Sequence, residues 1–270
     1  MSDRVTVTME GGVADVRLVR ADKMNALDGA MFDALVETGE ALKTRKGLRA
    51  VVLSGEGRAF CAGLDMGSFA QMAGKDKDSG NGVGGIGARD YGFANKAQQV
   101  CYVWRQIPVP VIAAVHGVAF GGGFQLCLGA DMRYVAPDTK MSIMEIKWGL
   151  VPDMAGVLLM PGLARTDIVR ELTFTGKVFT GVEAQTYGFA TRVCDDPRAE
   201  ALATAHEIAG KSPHAIRAAK RLLNLSLEGD AKTILLKETE EQVALIASPN
   251  QIEAVMSNMQ KRAANYAETD

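Results

Sequence analysis

The chain is short of the side chains that most often do chemistry on their own. Three histidines (His116, His206, His214) and four cysteines (Cys61, Cys101, Cys127, Cys194) are scattered over 270 residues, with no two cysteines closer than 26 positions. That spacing offers no CxxC pair, no Cys/His cluster and no metal site. Nor is there a disulfide framework, so a reduced, cytoplasmic setting is expected. No run approaches 18 consecutive apolar residues, and Met1-Ser2-Asp3-Arg4-Val5 is not a basic-then-apolar leader. A soluble chain without a membrane partner is therefore expected. An excess of one charge is also missing. Thirty basic residues face 32 acidic ones, for a net charge of -2 and a pI near 6.0. This balance argues against a nucleic-acid partner. There is no Gly-x-Ser-x-Gly nucleophile elbow. Gly210-Lys211-Ser212 is not a phosphate loop, because the glycine needed five places earlier is Ala205.

Glycine, by contrast, is abundant: 29 residues, against roughly 19 for an average chain of this length at about 7%. With 47% hydrophobic and 23% charged residues, there is material for a substantial core. Residues 4–9 alternate and 13–19 are rich in valine and leucine. Gly11-Gly12 between them predicts a β-hairpin. Asp28 is placed to cap a helix through about Lys46, and Leu48–Leu53 reads as a buried strand. A helix is expected at 93–106, a strand at Val111–Val115, a helix opening at Gly122–Gly123 and a strand at Met132–Ala136. Eight of the 26 residues from 67 to 92 are glycine, the composition of a long binding loop or lid. From 198 onward the pattern is almost wholly helical, with Ala199–Ala209, Pro213–Leu227, Ala231–Ala247 and Pro249–Tyr266 as the expected helices. The chain thus divides into an α/β core over 1–197, built of repeated strand–strand–helix units, and a helical C-terminal region over 198–270.

Two segments stand out for chemistry. Arg58-Ala59-Phe60-Cys61-Ala62-Gly63-Leu64-Asp65 follows the Leu48–Leu53 strand. His116-Gly117-Val118-Ala119-Phe120-Gly121-Gly122-Gly123-Phe124-Gln125 follows the Val111–Val115 strand. Each puts glycine at a strand exit, where backbone N–H groups are unpaired, and the second opens a helix whose dipole adds positive character. Two such donors converging on one point would form an oxyanion hole. Separately, each could be a tight turn between a strand and its helix. Cys61 has no neighbour that would lower its pKa and reads as a packed small side chain. Trp104 and Trp148 read as core or pocket wall.

Taken together, these segments resemble the crotonase family, the enoyl-CoA hydratase/isomerase superfamily. Lys23-Met24-Asn25-Ala26-Leu27, Gly149-Leu150-Val151-Pro152, Leu172-Thr173-Phe174-Thr175-Gly176 and Lys261-Arg262-Ala263-Ala264-Asn265-Tyr266 extend the resemblance over most of the chain. It implies a crotonase-type spiral fold with a helical tail that packs into homotrimers, often paired as hexamers. The implied substrate is an acyl-CoA thioester whose carbonyl oxygen is held by the Leu64 and Gly122 N–H groups. CoA belongs to the substrate, and no separate cofactor is implied. Lys23, Met24, Ala26, Ala62 and Asp65 would line the CoA end. Lys261 would reach a CoA phosphate, often from a neighbouring subunit. As residues alone, Lys23 and Lys261 also suit a solvated surface.

The acid/base positions depart from the family pattern. Hydratases that the sequence resembles use two glutamates to activate water. The first position is Gln125 here, and an amide orients water but cannot accept its proton. The second, Glu145, is retained. Asp153 follows eight residues later, beyond Gly149 and Pro152, and the Glu145–Asp153 pair is similar to dienoyl-CoA isomerases of the family. There, two carboxylates move a proton along the acyl chain without adding water. Double-bond isomerisation is the favoured expectation. Hydration by Glu145 with a Gln125-oriented water, and acyl-CoA binding without turnover, are the alternatives. Asp153 also suits an N-cap for a helix at 154–160, and Glu145 the outer face of a half-buried strand.

Overall fold

The N-terminal hairpin forms as its glycines require. Gly11 and Gly12 take φ of 55° and 81°, and the two-residue turn joins β1 (Val5–Glu10) to β2 (Val13–Leu18). The computed structural model describes residues 3–67 and 86–268, so most of the expected 67–92 loop lies outside the described residues.

β1 is the antiparallel edge of a six-stranded sheet. β2, β3 (Ala50–Gly55), β4 (Val111–Val115), β6 (Met132–Val135) and β9 (Arg192–Val193) run parallel across it. β5 (Val118–Phe120), β7 (Lys140–Ser142) and β8 (Phe179–Thr180) form a separate three-stranded sheet. The strands that follow β4 and β6 therefore cross to a second layer, which the hydrophobic pattern does not reveal. β3 and β4 are buried along their whole length, as expected of strands covered on both faces.

The helices follow their caps. α1 (Gly29–Lys43) starts where Asp28 accepts the Met31 N–H at 2.8 Å. The helix expected at 93–106 begins later, as α2 (Lys96–Gln106), because Asn95 and Gln98 close a capping box. α3 (Gly122–Leu128) is fully buried. Its Phe124 ring meets Phe179 and Phe189 edge-on at centroid distances of 5.7 and 5.2 Å, which anchors the helix between the two sheets.

α4 (Gly156–Leu159), α5 (Thr166–Thr175) and α6 (Gly181–Tyr187) follow. α7 (Pro197–Ala209) covers the far face of the large sheet, with Ala201 and Ala205 against Val13, Ala50, Val52, Ile112 and Ala114. α8 (Pro213–Leu225) is stapled to the core by Lys220. Its Nζ donates to Asp131 Oδ2 at 2.7 Å and to the Val109 carbonyl at 2.8 Å. α9 (Ala231–Leu245) and α10 (Pro249–Met259) complete the tail. The last helix stops at Met259 and does not reach Tyr266. Beyond it, Asn250 exchanges hydrogen bonds with the Ala267 backbone, and Glu253 holds Arg262 and the Asn265 N–H. Side-chain pins take the place of further helical turns.

Asp131 Oδ2 also accepts the Val111 N–H at 2.7 Å, so the Lys220 ion pair fixes the start of β4. Removing one member of a buried pair strands the other. Lys220→Ala is expected to cost about 3 kcal/mol, at the low end for such pairs because Asp131 keeps some solvent. Urea unfolding measures this; a loss below about 1 kcal/mol would show that water replaces the ammonium.

Candidate active site

The two glycine-bearing segments meet backbone to backbone. The Cys61 N–H donates to the Val118 carbonyl at 3.1 Å, and the Phe120 N–H returns to the Cys61 carbonyl at 3.2 Å. A side chain at Gly63 (φ 87°) would put its Cβ 2.4 Å from the Phe120 carbonyl oxygen. At Gly123 it would lie 2.2 Å from the Cys61 carbonyl oxygen. Glycine is needed at both places because the chains touch there.

Leu64 also pairs with Leu27. The Leu27 N–H donates to Gly63 at 2.8 Å and the Asp65 N–H to Leu27 at 3.0 Å. In that parallel bridge, Leu64's own N–H points away from Leu27. Gly122 is the first residue of α3, and its N–H is one of the helix's unpaired donors. Among the described residues, neither N–H meets an acceptor. Both residues line one cavity of about 950 Å³.

The expected lining residues Lys23, Met24, Ala26, Ala62 and Asp65 border the same cavity, as do Glu145 and Asp153. Gln125 and Lys261 do not. Phe32, Met66, Ile86, Met144, Trp148 and Met154 supply an apolar wall that the motifs alone did not reveal. Trp104 is core, its Nε1 donating to the Val100 carbonyl at 2.9 Å. Burial pushes the Cys61 thiol up to about 12, as suits a packing residue.

The Lys23–Leu27 motif is held by a residue that the site reading passed over. Met24 and Asn25 both adopt left-handed φ, at 50° and 55°. The fully buried Asn25 side chain accepts the Arg20 N–H and donates to the Glu56 and Ala59 carbonyls. Arg20 in turn grips Asp65 at 2.7 Å. Its hydrogen bond holds the Asp65 carboxyl below the usual range. A local turn motif flagged the segment, but Asn25's long-range partners had no signature in it.

Glu145 opens a short 3₁₀ turn, Glu145–Trp148, and is 8% exposed; it is not on the outer face of a strand. Its Oε1 accepts from Gln125 Nε2 at 2.7 Å, while Oε2 is buried without a hydrogen-bond partner among the described residues. Burial raises its pKa, and the Asp153 charge adds to this. Asp153 does not cap a helix: α4 is preceded by Ala155 at φ 67°, with no side-chain cap. The Asp153 carboxyl is open to the cavity, yet packed closely enough that lost hydration raises its pKa too. Gln125 lies behind the wall. Its carbonyl oxygen is taken by the Met154 and Gly156 N–H groups, both at 2.9 Å, so it is not placed to orient a water in the cavity.

Unpaired backbone donors beside the buried Glu145 and the cavity-lining Asp153, in this two-sheet framework, define an enzyme of the crotonase superfamily. The chain belongs to the enoyl-CoA hydratase/isomerase family, whose model matches residues 8–269. It is 29% identical to mouse mitochondrial methylglutaconyl-CoA hydratase, over 94% of this chain and 79% of that one. Mouse mitochondrial Delta(3,5)-Delta(2,4)-dienoyl-CoA isomerase is 31% identical, over 93% and 77%. Carnitinyl-CoA dehydratase of Proteus mirabilis is 31% identical, over 98% and 99%. The enoyl-CoA hydratase structure from Bacillus anthracis superposes with a TM-score of 0.87 at 26% identity, covering 98% of this chain and 99% of that one.

A carboxyl whose folded-state pKa is raised weakens the fold as it ionises. The protonated form's contribution is complete below the unfolded value of 4.5 and is lost as pH rises through the folded value. Glu145→Gln is therefore expected to be more stable than wild type at pH 7.5, and the gap should close as pH falls to about 4.5. Thermal melts across that range test the sign, and a constant gap would mean that Glu145 does not titrate there.

Proposed function

We propose that the protein isomerises the double bonds of an unsaturated acyl-CoA, with a 3,5-dienoyl thioester as the representative substrate. The observation that supports this reading is that Glu145 and Asp153 border the cavity of Leu64 and Gly122, while Gln125, in the first glutamate position of a hydratase, is turned out of it.

One carboxylate takes a proton from C2, and the electron pair moves into the thioester carbonyl. The Leu64 and Gly122 N–H groups hold the resulting enolate oxygen. On its collapse the double bonds become C2=C3 and C4=C5, and C6 takes a proton from the second carboxylic acid. The balance is closed without water, oxidant or a separate cofactor. Such a relay needs one carboxyl ionised and one protonated. Lost hydration raises the pKa of both carboxyls, and the Asp153 charge raises that of Glu145 further, which suits such a relay.

Lys23, Met24, Ala26, Ala62 and Asp65 would receive the CoA end, and the apolar wall the acyl chain. Lys261 would act at a neighbour's CoA, in keeping with self-association through the tail. Leu223, Leu235, Leu236, Val243, Ile246 and Met259 are each at least 60% exposed in the single chain. Oligomers of this kind bury such surfaces. The expected state is a homotrimer or hexamer, which light scattering after gel filtration would read directly; a monomer would refute it. Four free cysteines suit a reducing compartment such as the cytoplasm.

Purified protein is offered 2-enoyl-, 3-enoyl- and 3,5-dienoyl-CoA, with absorbance of the conjugated 2,4-dienoyl product as the readout. Glu145→Gln and Asp153→Asn are each expected to lower dienoyl turnover by at least about 100-fold. Full activity in Asp153→Asn would reject the two-carboxylate relay, and preferential hydration of 2-enoyl-CoA would favour the hydratase alternative. Gly63→Ala should cost kcat on the order of 100-fold, because the Leu64 donor moves with the strained backbone.

A further inference from the structure

Gln125 is 1% exposed and touches both carboxylate-bearing segments. Its Oε1 accepts from the Met154 and Gly156 N–H groups at 2.9 Å each, which fixes the amide's orientation. Nε2 must then face Glu145, and it donates to Oε1 at 2.7 Å. Oε2 of the same carboxyl is buried with no hydrogen-bond partner among the described residues. An orphaned carboxylate oxygen costs about 1–3 kcal/mol, so its survival beside a substrate cavity points to use.

We propose that Gln125 is a positioning residue: its amide clasps Glu145 to the Asp153 turn and reserves Glu145 Oε2 for proton transfer. The proposal rests on the isomerase reading in taking Glu145 as a proton carrier; the clasp itself does not depend on it.

An amide suits this post better than a carboxylate. Glutamate would accept the Met154 and Gly156 N–H bonds equally well, but it would set a second negative oxygen against Glu145. The two would have to share a proton, and Glu145 would ionise only at higher pH. An apolar side chain would remove the side-chain donor that favours the ionised form. Gly156 belongs to the device: a Cβ there would stand 2.6 Å from Gln125 Oε1.

Other charges do not duplicate the amide. Asp153 acts on Glu145 from the adjoining turn, and the buried, protonated Cys101 thiol of α2 is sensitive to the Glu145 charge. Lys147 on the same 3₁₀ turn lies over the Trp148 ring at 5.3 Å. Asp167, Arg170 and Glu171 of the neighbouring α5 are exposed to solvent.

The test uses the full-length protein and three variants, Gln125→Met, Gln125→Glu and Gly156→Ala. Carbon-13-edited infrared difference spectra, with Glu145→Gln as the subtraction, follow Glu145 ionisation without requiring activity. Steady-state kinetics on 3,5-dienoyl-CoA gives the acid limb of kcat. Each variant is expected to move the Glu145 titration and the acid limb upward, with Gln125→Glu moving them by at least one pH unit. At neutral pH kcat should fall at least tenfold while KM stays within threefold. Lower melting temperatures with both titrations in their wild-type places would reduce Gln125 to a packing residue and overturn the proposal. Unchanged or faster turnover by Gln125→Glu, with no shift, would overturn it as well. Gln125→Glu keeps both backbone hydrogen bonds, so the question stays answerable even if Gln125→Met does not fold. If Glu145→Gln retains full turnover, the isomerase reading fails by itself, and the infrared titration still judges the clasp.

Discussion

The rest of the site depends on two pieces of backbone touching. Where the exits of β3 and β4 meet, Gly63 packs on the Phe120 carbonyl and Gly123 on the Cys61 carbonyl, with no room for a side chain between them. That approach brings the Leu64 and Gly122 N–H groups to one cavity. It is stable because each chain satisfies part of the other through the Cys61–Ala119 bridge while those two donors remain unspent. The aromatic packing of Phe124 behind α3 and the Lys220–Asp131 staple at the start of β4 hold the approach from either side.

Around this junction the carboxylates acquire character from burial rather than from identity. Glu145 loses water to the wall and gains the Gln125 amide as a side-chain hydrogen-bond donor. Asp153 sits on a turn that the same glutamine grips through its neighbours' N–H groups. One side chain thus bonds to both segments and ties Glu145 to the Asp153 turn.

Much of this was legible in the sequence, for identifiable reasons. The hairpin glycines, the Asp28 cap and the fully apolar β3 and β4 are local signals, and local signals read well. The glycines at 63 and 121–123 could be recognised because a close approach admits little else. The hydratase alternative has Gln125 orient a water, yet its carbonyl oxygen faces two backbone donors. Its side chain has several rotors, and which way it turns depends on Met154 and Gly156, about 30 residues away. Asn25 was hidden for the same reason, since its partners Glu56 and Ala59 lie more than 30 residues along the chain. The crossing of β5, β7 and β8 into a second sheet is likewise invisible, because strands of two or three residues carry too few positions to show which layer they join. At the other end, Pro249–Tyr266 read as continuous helix because pattern alone does not register the Asn250 and Glu253 pins that bend the tail back.

The paired N–H donors have a consequence for inheritance. They belong to the peptide backbone, so no exchange of the Leu64 side chain can delete one of them. Only a change that moves the chain, such as a Cβ at Gly63, reaches them. Variation can accumulate on the cavity wall, at Met66, Trp148 or Met154, while these backbone donors stay beyond the reach of their own side-chain exchanges. A lineage built on such a junction can reshape the cavity without first surrendering its backbone donors.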